Sequence, residues 1–257
     1  MFDFNYIQAQ EFLLLFFRVA AIVISSPVLG HENTPGQVKI GLIFFLSVVS
    51  YSTVEINLPE GDHNTIFELV PLIASEMLVG ITIGFAGRLI FAAVQFAGQM
   101  LGMQMGFAMV NVLDPVSNTQ VSITSQALNM FAILTFLAVD GHYWFIRGIV
   151  YSFEIVDPGG FTLSGGLMET MVTLTSALFV TAIQLVAPVS AILLFQNVGL
   201  GVLARTVPQM NVFIVGLPLQ ILLGLLMLSM TLPIIYGILA EQFNGFGFQM
   251  IELLRLM

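Results

Sequence analysis

The sequence predicts an all-α integral membrane protein of about six long, kinked apolar helices, and three observations carry that prediction. Hydrophobic residues make up 58% of the chain and charged residues 8%, against roughly 25% charged in a typical soluble domain, so hydrated side chains cannot cover its surface. Apolar stretches of about the ~20 residues needed to cross a bilayer recur along the whole length. Prolines stand inside several of those stretches, at Pro71, Pro188, Pro218 and Pro233, where a missing backbone donor and a bulky ring kink a helix.

Each stretch must be helical where it meets lipid, because only a helix satisfies its own backbone groups there. The first, residues 12–29, follows Met1-Phe2-Asp3-Phe4, which carries no positive leader, and no small-residue cleavage pattern comes after it; it is expected to be retained. The second covers residues 40–58, behind a Gly-, Pro- and Asn-containing break at 30–37. The third, residues 69–96, carries Pro71 and the one-turn pair Gly80 and Gly84. Its continuation from Arg88 to Val112 is different, with Gln95, Gln99, Gln104 and Asn111 scattered among small residues and Gly98, Gly102 and Gly106 on one helix face. Such a face lets a neighbouring backbone approach closely, either as ordinary helix packing in a membrane or as a tight subunit contact. The fourth stretch, 121–139, follows the polar turn 114–120, the fifth is 171–195, and the sixth is 212–240. Breaks at 157–166 and 197–209, rich in Gly, Pro and Asn, separate the last three. No linker, internal repeat or low-complexity tract divides the chain, so residues 1–257 read as one domain.

Charge and side-chain chemistry exclude several functions. Six Lys and Arg against fifteen Asp and Glu give a net charge of −9, which leaves no basic face for nucleic acid. With no cysteine there is no thiolate nucleophile or Cys-based zinc site. His31, His63 and His142 lie in separate segments without helix-spaced partners, so no metal site is expected. No serine sits in a nucleophile elbow, so no enzyme and no cofactor are expected. Lys39, Arg88 and Arg205 fall on one side of a simply alternating topology, which makes that side cytoplasmic.

Ionisable residues in apolar segments are costly and therefore functional candidates, at ~2.5 kcal/mol or more when unpaired. They are Glu11, Arg18, Glu76, Arg88, Asp114, Asp140 and Arg147. One reading makes them an ion pathway, with Glu76, Arg88 and Asp114 serving a proton-coupled transporter of a small substrate; the other makes them structural pairs that lock helices.

Five blocks in order resemble the FliR family of type III export-gate subunits, which includes the SctT proteins of virulence injectisomes. They are Arg18 to Pro27; Ala97-Gly98-Gln99 with Gln104-Met105-Gly106 and Asp114-Pro115; Asp140-Gly141-His142; the stretch Gly201 to Phe213 containing Arg205 and Pro208-Gln209; and Gly216-Leu-Pro218. Where some relatives carry phenylalanines before the Asp-Pro, this chain has Met109, Val112 and Leu113.

The resemblance implies a subunit of the flagellar protein export gate in the bacterial inner membrane, at the flagellar basal body. It would be built as bent hairpins in a multi-subunit helical assembly with FliP and FliQ, with FlhB docked on that core and unfolded flagellar proteins passing through. It also places a plug loop after the Gly98 helix, which makes Phe107, Met109, Val112, Leu113, Asp114 and Pro115 the expected channel plug. Met100, Met103 and Met105 are then expected on the lumen side, since thioether side chains adapt in shape; ordinary core filling is the alternative. Gly80, Gly84, Gly98, Gly102 and Gly106 are the expected packing positions, and Arg18, Glu76, Arg88 and Arg205 the expected structural charges. Asp114-Pro115 is expected to end the helix and start the loop.

Overall fold

The computed structural model describes residues 6–31, 34–54, 56, 66–107, 122–209 and 212–257. Those residues form seven helices and no strand: α1 (Tyr6–Ser25), α2 (Gly36–Tyr51), α3 (Ile66–Gln104), α4 (Ile123–Ala138), α5 (Gly141–Ile155), α6 (Gly165–Thr206) and α7 (Val212–Arg255). Four of them, α1, α3, α6 and α7, are long and apolar enough to cross a membrane, and α4 with α5 adds a fifth candidate as a broken span.

The helix count departs from the six expected stretches for physical reasons. The glutamine-bearing continuation after Arg88 stays helical as part of α3, since isolated amides do not interrupt a helix that has apolar and small neighbours. Where the stretch at 40–58 was expected, α2 runs over the 16 residues Gly36–Tyr51, too short for a full crossing. Helix α5 lies outside every expected stretch. The four prolines inside apolar stretches do not end their helices: α3 continues past Pro71, α6 past Pro188, and α7 past Pro218 and Pro233. The break falls instead at Asp140, whose φ of 55° is the one left-handed value among the described non-glycine residues. Aspartate tolerates that region better than most side chains, and it starts α5 directly after α4.

The chain packs as two compact units, one of Met1–Ile90, Leu137–Thr175 and Phe243–Met257 and the other of Phe91–Phe136 and Ser176–Gln242. In the first, Leu14, Leu15, Val19 and Ile22 of α1 are buried together with Val79 and Ile83 of α3, Phe145 and Ile149 of α5, and Phe246 and Met250 of α7. Phe145 stacks on Phe246 with ring centroids 4.9 Å apart. In the second, Val94, Ala97 and Leu101 of α3, Leu128 and Ala132 of α4, and Leu185 and Val189 of α6 are buried, with Phe91 edge-on to Phe136 at 5.7 Å.

The outward faces invert the pattern of a water-soluble protein. Helix α2 buries Ile43, Ser47 and Ser50 and exposes Phe44, Phe45, Val48 and Val49. Phe195 of α6 is 73% exposed and Ile214 of α7 71%. On α2 two serines face the protein while large apolar side chains face outward, and such outward apolar surface suits a hydrocarbon solvent or an apolar neighbour.

Candidate functional site

Helix α3 ends at Gln104, with its cap at Gly106, whereas the expected helix stop at Asp114-Pro115 lies outside the described residues. The Gly106 amide donates to Met103 O (3.2 Å) and the Phe107 amide to Gly102 O (3.0 Å). This is the paired 5→2 and 6→1 pattern of a Schellman motif, with Gly106 as its left-handed residue at φ 83°. The cap, rather than a shared face with Gly98 and Gly102, accounts for glycine at 106. A methyl group there would also approach Leu217 Cδ2 to 2.9 Å.

Gly98 and Gly102 face the first turn of α4 in the same chain. A side chain on Gly98 would meet the Ser125 backbone, and one on Gly102 would meet the hydroxyls of Ser122 and Thr124. Those hydroxyls use the close approach. Thr124 Oγ1 donates to Gly98 O at 2.8 Å, Ser122 Oγ to the same carbonyl at 3.4 Å, and Ser125 Oγ to Gln95 O at 3.1 Å. Ser122, Thr124 and Ser125 went unread in the sequence, although a hydroxyl run opening a helix opposite a glycine face is a legible signal.

Around this clip the predicted side chains divide. Met105 is buried, with its thioether against the Cα of Gly224 on α7. Met103 is 63% exposed, and Met100 and Phe107 are half-buried. Gln220 of α7 donates its amide to Gln104 O and to Asn197 Oδ1 (3.4 Å), tying α3, α6 and α7 at the same level. Met109, Val112, Leu113, Asp114 and Pro115 lie outside the described residues.

The second cluster joins charges that the sequence left separate. Arg18 Nε donates to Glu76 Oε2 at 2.5 Å, and neither side chain is exposed. Arg18 Nη1 also donates to the carbonyls of Ser152 (2.6 Å) and Val156 (3.0 Å) at the end of α5, and the guanidinium lies 3.8 Å from the Phe153 ring centroid. Glu76 Oε1 accepts from the Gly159 amide at 3.0 Å. Gly80 and Gly84 let α3 lie directly on α1 beside this pair, at Arg18 O, Ala21 and Ser25. Arg88 is exposed and donates to Ile24 O at 2.9 Å. Arg205 is exposed in the last turn of α6, where a cation suits the helix dipole, and no described residue pairs with it.

Comparison with known proteins shows the family. The family model described as bacterial export proteins, family 1, matches residues 9–246. The flagellar biosynthetic protein FliR of Bacillus subtilis is 35% identical over 236 residues, covering 91% of this chain and 90% of that protein. The protein of that name in Escherichia coli is 31% identical, covering 85% and 82%, and that of Aquifex aeolicus 30% identical, covering 93% of each. A helical chain with apolar, span-length helices, matched almost end to end by one family, belongs to the bacterial export proteins of family 1, the family of FliR.

Proposed function

We propose that this chain is a non-enzymatic subunit of the flagellar protein export gate in the bacterial inner membrane, forming the secretion channel with FliP and FliQ and meeting FlhB. The observation that carries the reading is the family match over residues 9–246, joined by relatives named flagellar biosynthetic protein that align over most of their own length. In this reading residues 106–120 are the plug that keeps the resting channel closed, and unfolded flagellar proteins pass once it yields. Support comes from the base of that segment. The Schellman cap at Gly106 and the hydroxyl clip of Ser122 and Thr124 on Gly98 anchor its two ends to one another.

The rival reading as a proton-coupled transporter needs Glu76 free to take up and release a proton. Its two carboxylate oxygens are engaged by Arg18 and by the Gly159 amide, away from solvent, which favours the structural role. Purification in mild detergent from cells expressing all the gate components tests the proposal. Recovery of this chain in a stable particle with FliP and FliQ is expected. A monodisperse single-chain particle that transports a small solute would overturn it.

A further inference from the structure

Helix α5 differs from its neighbours in length and chemistry. Its 15 residues, Gly141–Ile155, carry Tyr143, Trp144 and Tyr151 together with Arg147 and Glu154. At 1.5 Å per residue it is ~22 Å long, short of the ~30 Å hydrocarbon layer. One face is fixed to the protein: Phe145, Gly148, Ile149, Ser152 and Phe153 are buried, and Met250 Sδ closes over Gly148. The other face exposes Tyr143, Ile146, Arg147 and Glu154, with Trp144 and Tyr151 half-buried at its edges. The Trp144 ring rests against the backbone of Gly247, which holds it in place.

The Arg147 guanidinium lies over the Tyr143 ring, 4.4 Å from its centroid, and no described carboxylate pairs with it. In a chain with only six Lys and Arg, an exposed arginine with no described carboxylate partner, one turn after Tyr143 and Trp144, is a local feature. Aromatic rings with one polar edge settle where acyl chains meet headgroups, and arginine extends toward phosphate from the same depth. Because α5 packs its apolar face on the protein, its depth is set by the outward face, whose tyrosine, arginine and glutamate suit that boundary rather than the hydrocarbon centre. We infer that α5 lies in the membrane–water interface and that Tyr143 and Arg147 form a binding site for the phosphate of an anionic phospholipid headgroup. The guanidinium supplies paired N–H donors to phosphate oxygens, the Tyr143 ring fixes its plane, and Ile146 meets the upper acyl chain. Glu154, two turns along the same face, sets the limit of the site, because it repels the phosphate.

Trp144 is the only tryptophan in the chain, so its fluorescence reports on α5 alone. The full-length chain is reconstituted in bilayers of phosphatidylcholine and phosphatidylglycerol with bromine atoms placed at successive depths on the acyl chains. Quenching should be strongest for bromines nearest the headgroups. With bromine confined to one lipid class at a time, phosphatidylglycerol should be enriched around Trp144 by about fivefold over its bulk share, the scale expected for one basic side chain at an anionic surface. Arg147→Gln should bring that ratio to about one while Arg147→Lys keeps most of it. Arg147 is exposed, so both variants should retain the parent's helical circular dichroism. Strongest quenching by bromines at the bilayer centre, the absence of quenching by any lipid, or equal enrichment around parent and Arg147→Gln would each overturn the proposal.

Discussion

Arg18 and Glu76, fifty-eight residues apart in the chain, meet side chain to side chain at 2.5 Å in a part of the protein that solvent does not reach. The pair joins α1 to α3. Through the carbonyls of Ser152 and Val156 and the amide of Gly159, it also holds the end of α5 and the turn that follows.

Removing one member should therefore cost more than removing both. Arg18→Ala leaves an uncompensated carboxylate and is expected to lose about 3–5 kcal/mol, whereas Arg18→Met with Glu76→Leu should recover most of that. Thermal loss of the monodisperse particle in detergent measures it. If Glu76→Gln leaves stability at the parent level but abolishes ion-coupled activity, Glu76 carries protons and the structural role is wrong.

The glycine face of α3 should matter within the chain, before any partner joins. Gly98→Leu and Gly102→Leu force side chains into Ser125 and Ser122, and overpacking of this kind typically destabilises by 1–3 kcal/mol. Gly199→Leu, on a helix position with open space around it, serves as the control. Parent-like stability of the isolated Gly102→Leu chain would show that the α3–α4 contact is not needed.

At Gly106 the demand is on the backbone. Gly106→Ala should destabilise by ~1–2 kcal/mol, since a Cβ is disfavoured at φ 83°, and Gly106→Asn should lose less because asparagine tolerates the left-handed region. Hydrogen exchange of the Met105 to Phe107 amides reads the fraying directly, and unchanged protection in Gly106→Ala would remove the cap from its anchoring role.

Sealing is tested on the assembled gate. Phe107, Met109 and Val112 changed together to alanine, or deletion of Val116 to Thr119, should let small solutes and ions leak while secretion is partly retained, because apolar constrictions gate by excluding water. A conductance equal to the parent's in a fully assembled complex would remove this segment from the sealing role.

Arg205 gives a milder expectation. Exposed and without a described partner, it acts as a cation at the end of α6, so Arg205→Lys should match the parent in the stability of the chain and Arg205→Ala should fall by less than ~1 kcal/mol. A larger loss confined to the assembled complex would locate its partner on another subunit.

The sequence made the membrane class legible because composition alone rules out a hydrated surface, and it singled out the pairs Gly80–Gly84 and Gly98–Gly102 because four-residue spacing puts the members of each pair on one helix face. Arg18 and Glu76 stood out as ionisable residues in apolar runs, but their pairing depends on a contact across fifty-eight residues that no local pattern encodes. The end of α3 was hidden because apolar residues continue past Gly106, while Asp114-Pro115 is the stronger local breaker. Helix α5 was missed for the opposite reason: its aromatic and charged residues dilute the hydropathy on which span-finding relies, and its start depends on one aspartate in a left-handed conformation.

Helix α7 has 44 residues and is ~66 Å long at 1.5 Å per residue. To lie wholly within ~30 Å of hydrocarbon it would have to tilt by roughly 60°, beyond the 0–40° that membrane helices adopt. Much of its apolar outer face, including Ile214, Leu222 and Met230, therefore has no lipid to cover it when the chain is alone. A copy without neighbours thus presents apolar surface that only another apolar protein surface can cover.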